Sequence, residues 1–185
     1  MELAIAGLGR MGGNMARRLH RVGHRVIAYN RTFSVTEELM REEGLEGAPS
    51  AAEAVAMLAP PRIVWLMVPA GDATEQTMEE FAAHLAAGDT IIDGGNANFH
   101  DSKRRHALLK ERGIHFVDAG ISGGIWGLQN GYGTMVGGDR EAVAALEEGR
   151  GTGRCDRQTL DGDARCIHCS GDPLERTDTF DATIV

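Results

Sequence analysis

The sequence predicts an α/β fold, a mostly parallel sheet covered by helices on both faces. Two observations carry this. Short apolar runs recur along the first 149 residues, separated by amphipathic stretches of helical period, and glycine or proline punctuates most of the junctions. Some of these runs are apolar without interruption, as in Ile63-Val64-Trp65-Leu66-Met67-Val68, which is how a strand buried on both faces reads. Strands alternating with helices of about 10–15 residues favour a parallel sheet.

The elements follow in order. Residues 3–6 form a first strand, and a glycine-rich turn spans residues 7–13. Met15, Ala16, Leu19 and Val22 repeat at helical spacing, with Gly23 as the C-cap. Residues 25–29 are the second strand. Ser34 is the expected N-cap of a helix through Glu43, with Glu37 completing a capping box. A short third strand falls near residues 45–48, and Ser50 caps an alanine-rich helix ending before Pro60-Pro61. Residues 63–68 are the fourth strand, and a helix over 74–87 leads through Gly88 to a strand at 90–93. Asp101 or Ser102 starts a helix that ends at Gly113, followed by a strand at 114–118. A second glycine-rich passage, residues 120–138, contains a strand at 134–136, and an amphipathic helix covers 139–148. Residues 1–149 are thus expected to form one domain. Residues 150–185 lose the periodicity, are rich in Arg, Asp, Thr and Gly, and have one aromatic residue, Phe180. Such a composition predicts an irregular, disordered tail with no domain of its own.

Composition narrows the function. Of 185 residues, 42% are apolar and 25% charged, the balance of a soluble globular protein. No apolar run approaches the length of about 20 residues needed to cross a membrane. The first strand starts almost at Met1, so a cytoplasmic address without a targeting segment is expected. A net charge of −8 argues against a nucleic-acid partner. The three cysteines, Cys155, Cys166 and Cys169, all lie in the tail, an odd count that does not suggest a disulfide framework. With His168 they offer four possible zinc ligands, but there is no second knuckle, and no metal site is assigned. His20 and His24 stand four apart at the end of a basic helix and read as solvated.

The chemistry lies in the turns. Gly7-Leu8-Gly9-Arg10-Met11-Gly12 reads G-x-G-x-x-G, between an apolar strand and an amphipathic helix. In that setting the first glycine makes the tight turn, the second admits a pyrophosphate, and the third lets helix pack on strand. The fold expected is therefore Rossmann-like and doubly wound. An NAD site usually carries Asp or Glu about 20 residues on, to bind the ribose 2′-hydroxyl. Here the second strand ends in Asn30-Arg31-Thr32. A neutral amide, a guanidinium and a hydroxyl suit a 2′-phosphate, so NADP is the expected cofactor; a merely solvated Arg31 is the alternative. Val68-Pro69-Ala70-Gly71 ends the fourth strand on the same edge, as a further cofactor contact or a plain turn. Asp93-Gly94-Gly95-Asn96-Ala97-Asn98 ends the fifth. Asn96 can bind ligand there, with an Asx-turn or capping role for Asn96 or Asn98 equally open. Ser122, Gly123 and Gly124 follow the last parallel strand and supply a hydroxyl and exposed N–H groups for a substrate.

Together these turns resemble one family. Gly7 to Gly12 with Asn14-Met15-Ala16, then Tyr29-Asn30-Arg31-Thr32, are similar to the β-hydroxyacid dehydrogenases in general. Asp93-Gly94-Gly95-Asn96, the passage from Gly120-Ile121-Ser122-Gly123-Gly124 through Trp126-Gly127-Leu128 to Tyr132, and Met135-Val136-Gly137-Gly138 resemble the decarboxylating 6-phosphogluconate dehydrogenases, most of all their shorter bacterial form. Hydroxyisobutyrate-type relatives share the first motifs but not the Trp126-Gly127-Leu128-x-Asn130-Gly131-Tyr132 passage. The resemblance implies oxidation of the C3 hydroxyl of 6-phosphogluconate with hydride transfer to NADP, then loss of CO2 to give ribulose 5-phosphate, a step of the pentose phosphate pathway. It implies that Gly7, Leu8, Gly9, Arg10, Met11, Gly12, Asn30, Arg31, Thr32, Val68, Pro69, Ala70 and Asn96 bind cofactor. Asn96, Ser122, Gly123 and Gly124 would bind substrate. The family's catalytic lysine and glutamate lie on a following helical domain that also builds a homo-oligomer. Nothing after Gly149 matches that domain, and neither lysine here, Lys103 or Lys110, is in a matching position. No catalytic residue is assigned. A truncated chain carrying the cofactor-binding half, inactive alone, is expected.

Overall fold

The structure, a computed structural model, describes residues 1–148 and the pair Arg165–Cys166. Eight strands form one sheet: β1 (Glu2–Ala6), β2 (Arg25–Tyr29), β3 (Glu46–Ala48), β4 (Ile63–Leu66), β5 (Thr90–Asp93), β6 (His115–Ser122), β7 (Gly133–Gly138) and β8 (Arg165–Cys166). Their order is β3-β2-β1-β4-β5-β6-β7-β8. The strands from β3 to β6 are mutually parallel, and β7 and β8 add antiparallel. The helices are α1 (Arg10–Arg21), α2 (Phe33–Glu43), α3 (Ala51–Ala56), α4 (Asp72–Ala82), α5 (Phe99–Lys110), α6 (Gly127–Asn130) and α7 (Arg140–Glu148), with a 3₁₀ turn at Gly124–Trp126. This is the doubly wound, Rossmann-like sheet that the alternating runs predict. The two-residue β8 falls in the stretch expected to be irregular. The rest of that stretch, with Cys155, His168 and Cys169, lies outside the described residues.

Side-chain alternation along the strands creates two cores. Leu3 and Ile5 of β1 join Met15 and Ala16 of α1, Leu39 of α2, and Val143 and Leu146 of α7 on one face. Ala4 and Ala6 join Val55 of α3, Met78 and Phe81 of α4, and Leu109 of α5 on the other. Strand residues in both sets are fully buried, so the uninterrupted apolar runs are explained by helices on each side. No helix among the described residues is long and apolar enough to cross a membrane.

Several boundaries differ from expectation for physical reasons. The Ser34–Glu37 capping box does not form. Thr32 is the last extended residue (φ −95°, ψ 103°), and α2 begins at Phe33, which places Ser34 inside its first turn. The serine cap one helix later does form: Ser50 Oγ accepts from the Glu53 N–H at 3.2 Å and donates to the Glu53 carboxylate at 2.9 Å. Helix α4 stops at Ala82, short of residue 87, in a turn tied by the buried Asp89. That carboxylate accepts from the Ala86 N–H (2.9 Å) and the Arg62 N–H (2.7 Å). Helix α5 starts at Phe99, capped by Asn98 Oδ1 accepting from the His100 N–H at 2.9 Å, not by Asp101 or Ser102. Strand β4 ends at Leu66, so Met67 and Val68 already belong to the turn. Strand β6 does not stop at Asp118 but runs on to Ser122, because β7 pairs with it from Val117↔Gly138 to Ser122↔Gly133.

Asp139, just ahead of α7, ties that helix to the sheet. It contacts His106 Nε2 at 2.8 Å and accepts from the Phe116 N–H at 3.2 Å. Burial pushes its carboxyl up, but these bonds outweigh burial and hold it below the usual carboxylate range. A depressed pKa stabilises the fold above the unfolded value of about 3.9, and that contribution is lost as pH falls through the lower folded value. Asp139→Asn should therefore cost about 1 kcal/mol at neutral pH, and the cost should shrink as urea unfolding is repeated at progressively lower pH beneath the free carboxylate value.

Candidate functional site

Parallel strands put the ends of β1, β2, β4, β5 and β6 on one edge of the sheet. The strand order reverses between β1 and β4, the point at which open α/β sheets bind ligands. Backbone hydrogen bonds stitch the ends together: Gly7 N–H to Tyr29 O (2.9 Å), Met67 N–H to Ala6 O (2.7 Å) and Gly94 N–H to Leu66 O (2.9 Å). The last link uses a side chain, with the Ile121 N–H donating to Asn96 Oδ1 at 3.2 Å. The turns predicted from sequence thus form one continuous ledge.

The first turn is built for close approach. Gly7 has φ +99°, and a Cβ there would lie 2.6 Å from Met67 O. A Cβ on Gly12 would overlap the Gly7 carbonyl oxygen and press on Met67 Cβ at 2.8 Å, whereas a Cβ on Gly9 would meet nothing within 4 Å. Gly12 therefore seats α1 against the sheet, and Gly9 leaves open space above the turn. Helix α1 has no side-chain cap and no acidic residue in its first turn, so its leading N–H groups and positive dipole end remain available to an anion. Exposed Arg10 begins the helix, and half-buried Met11 follows it.

The end of β2 adds a second uncapped helix start. Thr32 is the N-cap of α2 but its hydroxyl does not cap it, and the first turn of α2 has no acidic residue. Arg31 is exposed, with no hydrogen bond or ion pair among the described residues. Asn30 has a task that sequence reasoning missed. Its Oδ1 accepts from the Leu8 N–H at 3.1 Å and its Nδ2 donates to Thr32 O at 3.2 Å, so it braces the glycine turn against the β2 end. Positions 30–32 carry no Asp or Glu; the carboxylate that does reach this strand end is that of Glu80, which accepts from the Tyr29 hydroxyl at 2.8 Å.

Farther along the edge, Pro69 and Ala70 are exposed, Val68 is half-buried, and Thr74 Oγ1 donates to Pro69 O at 3.0 Å. Asn96 adopts φ +53°, a conformation asparagine tolerates better than most residues, and is exposed. Capping, one of the two roles left open for this pair, falls to Asn98. Asn96 instead bridges to β6. Ser122 is the final residue of β6, exposed, with its hydroxyl directed at Gly133 O (3.4 Å), and Gly123 and Gly124 turn the chain with φ +119° and +49°. Beneath this edge the Asp93 carboxyl is pushed up by burial, against the pull of the Gly95 N–H and Arg105. No group of three His, Cys, Asp or Glu side chains among the described residues could hold a metal ion. A cavity of about 250 Å³ opens at the opposite strand ends, lined in part by His20, His24, Arg25 and Glu46, and includes none of the predicted site residues.

Residues 2–149 match the family described as the NAD binding domain of 6-phosphogluconate dehydrogenase. The chain belongs to that family. It is 41% identical over 144 residues to the NADP(+)-dependent, decarboxylating 6-phosphogluconate dehydrogenase of Bacillus subtilis, covering 76% of this chain and 31% of that enzyme. Among solved structures it resembles Plasmodium falciparum 6-phosphogluconate dehydrogenase, described in its apo form and with NADP+ or 6-phosphogluconate. That likeness has a TM-score of 0.75 and 33% identity over 80% of this chain and 33% of that one. It also resembles the 3-hydroxyisobutyrate dehydrogenase of Mycobacterium tuberculosis, with TM-score 0.71 and 28% identity, covering 78% of this chain and 49% of that one. The chain therefore spans between about a third and about half the length of these relatives.

Proposed function

We propose that this chain supplies the NADP-binding half of an enzyme that oxidatively decarboxylates 6-phosphogluconate to ribulose 5-phosphate. The observation that carries the cofactor is the end of β2, where Arg31, without a hydrogen bond or ion pair among the described residues, and the Thr32 hydroxyl precede an uncapped helix and none of residues 30–32 is acidic. The pyrophosphate fits above Gly9, against the free N–H groups of α1. With the 2′-phosphate at β2 and the pyrophosphate at β1, the remaining half of the dinucleotide falls over β4 and β5, toward Val68, Pro69, Ala70 and Asn96. The chemistry that NADP supplies when bound is acceptance of a hydride. The residues of this chain orient the reactants, with Asn96 Nδ2, the Ser122 hydroxyl and the N–H groups at Gly123 and Gly124 offering donors to a hydroxy acid.

The second reading is a 3-hydroxyisobutyrate-type dehydrogenase, favoured by the matching fold of the Mycobacterium enzyme. The passage from Trp126 to Tyr132 supports the first reading, since it carries the resemblance to the decarboxylating 6-phosphogluconate dehydrogenases and not to the hydroxyisobutyrate type. A catalytic acid and base must lie within hydrogen-bond reach of substrate, and this chain offers no lysine or glutamate in a matching position. The purified 185-residue chain should bind NADP in a calorimeter and form no ribulose 5-phosphate from 6-phosphogluconate. Absence of NADP binding would sink the cofactor assignment, and measurable product would overturn the assignment of catalysis to another part of the enzyme.

A further inference from the structure

A single buried guanidinium lies beneath two of the turns. Arg105 of α5 is fully buried, a rare state for arginine. Its Nη1 donates to Asp93 Oδ2 and its Nε to Glu75 Oε1, each at 2.7 Å. Asp93 closes β5, and its other oxygen accepts from the Gly95 N–H at 2.9 Å, inside the turn that presents Asn96. Glu75 stands in the first turn of α4, where its own N–H donates to Gly71 O at 3.1 Å and the preceding Thr74 holds Pro69 O. One side chain therefore reaches both turns, 68–71 through Glu75 and 94–96 through Asp93. The turns also abut directly, since a Cβ on Gly95 would lie 2.7 Å from Val68 O.

This arrangement is a poor device for stability alone. Buried ion clusters can often be replaced by apolar side chains without loss, and Arg105 Nη2 lacks a hydrogen-bond partner among the described residues. Its particular product is geometric, a fixed separation between two loops on neighbouring strands. We propose that Arg105, acting through Asp93 and Glu75, is a positioning residue that sets the 68–71 and 94–96 turns for the nicotinamide half of the dinucleotide. The proposal deepens the NADP reading and rests on it for the identity of the ligand. The Arg105, Asp93 and Glu75 side chains bond neither the phosphate turn nor Asn30 to Thr32, and that separation makes it testable.

The experiment compares binding of NADP with binding of 2′,5′-ADP, which lacks the nicotinamide half, on the full chain and its Arg105→Lys and Glu75→Gln variants. Glu75 is partly exposed, so Glu75→Gln remains informative if Arg105→Lys folds poorly. Each variant should weaken NADP roughly threefold to thirtyfold, the range for networks that position a site, and leave 2′,5′-ADP unchanged. Equal losses for both ligands, or no loss for either, would overturn the proposal. Failure of the unaltered chain to bind 2′,5′-ADP would instead count against the NADP reading. Hydrogen exchange then decides without a ligand. The Gly95 and Glu75 amides should exchange faster together in the variants while the α1 amides keep their protection, and loosening of only one turn, of neither, or of α1 as well would refute the role.

Discussion

Gly12→Ala is expected to lower both the stability of the chain and its affinity for a dinucleotide, whereas Gly9→Ala should lower affinity alone. At Gly12 the added methyl collides with the Gly7 carbonyl oxygen and the Met67 side chain. Neither can move freely, because Gly7 is bonded to Tyr29 O and Met67 to Ala6 O. The helix must lift from the sheet, an overpacking cost of about 1–3 kcal/mol. Lifting α1 also displaces its leading N–H groups from the pyrophosphate, so affinity should fall by roughly tenfold to a hundredfold, since hydrogen bonds to a charged group are worth about 1.5–3 kcal/mol. At Gly9 a methyl has open space around it, and the backbone (φ −64°, ψ −173°) suits any residue. Its only conflict is with the ligand. Thermal unfolding and NADP titration of the two variants check the split, and a destabilised Gly9→Ala would show that Gly9 has a packing role after all.

The two glycines show how far the sequence could be read. Gly7, Gly9 and Gly12 have distinct steric settings that follow from their spacing and from the strand before them: Gly7 turns at positive φ, Gly12 packs against the first turn and Met67, and Gly9 faces open space. Several strand ends were legible for the same reason: β1, β2, β3 and β5 stop where their runs stop, on one edge, whereas β4 ends two residues before its apolar run does. What was not legible depends on long-range partners. Asn30 reads as a ligand amide, yet its oxygen is spent on Leu8, 22 residues earlier. Arg105 sits in an unremarkable polar helix, and nothing local announces that Asp93 and Glu75 converge on it. The only hint was an aspartate ending an apolar strand, since a buried carboxylate demands a partner. The extension of β6 was hidden because Gly120-Ile121-Ser122 looks like loop until β7 pairs with it. The failed cap at Ser34 turned on one residue of backbone direction at Thr32.

Arg31→Ala should weaken NADP by about tenfold to a hundredfold while changing NAD affinity by no more than about twofold. A hydrogen bond to a charged group is worth roughly 1.5–3 kcal/mol, and a guanidinium facing a phosphate dianion is such a group. Arg31 has no hydrogen bond or ion pair within the described fold, so its removal breaks no internal bond and the loss should appear in binding, not stability. Because the site is exposed, the NADP-specific loss should shrink as salt is raised through several hundred millimolar. Asn30→Asp supplies the converse. An aspartate oxygen can still accept from the Leu8 N–H, although the donation to Thr32 O is lost, and its charge opposes a 2′-phosphate and suits a ribose 2′-hydroxyl. That variant should lose NADP and hold or gain NAD. Equal losses of the two cofactors in Arg31→Ala would show that the arginine is only a solvated loop residue, and the 2′-phosphate would then have to be read by Thr32 and the α2 amides alone.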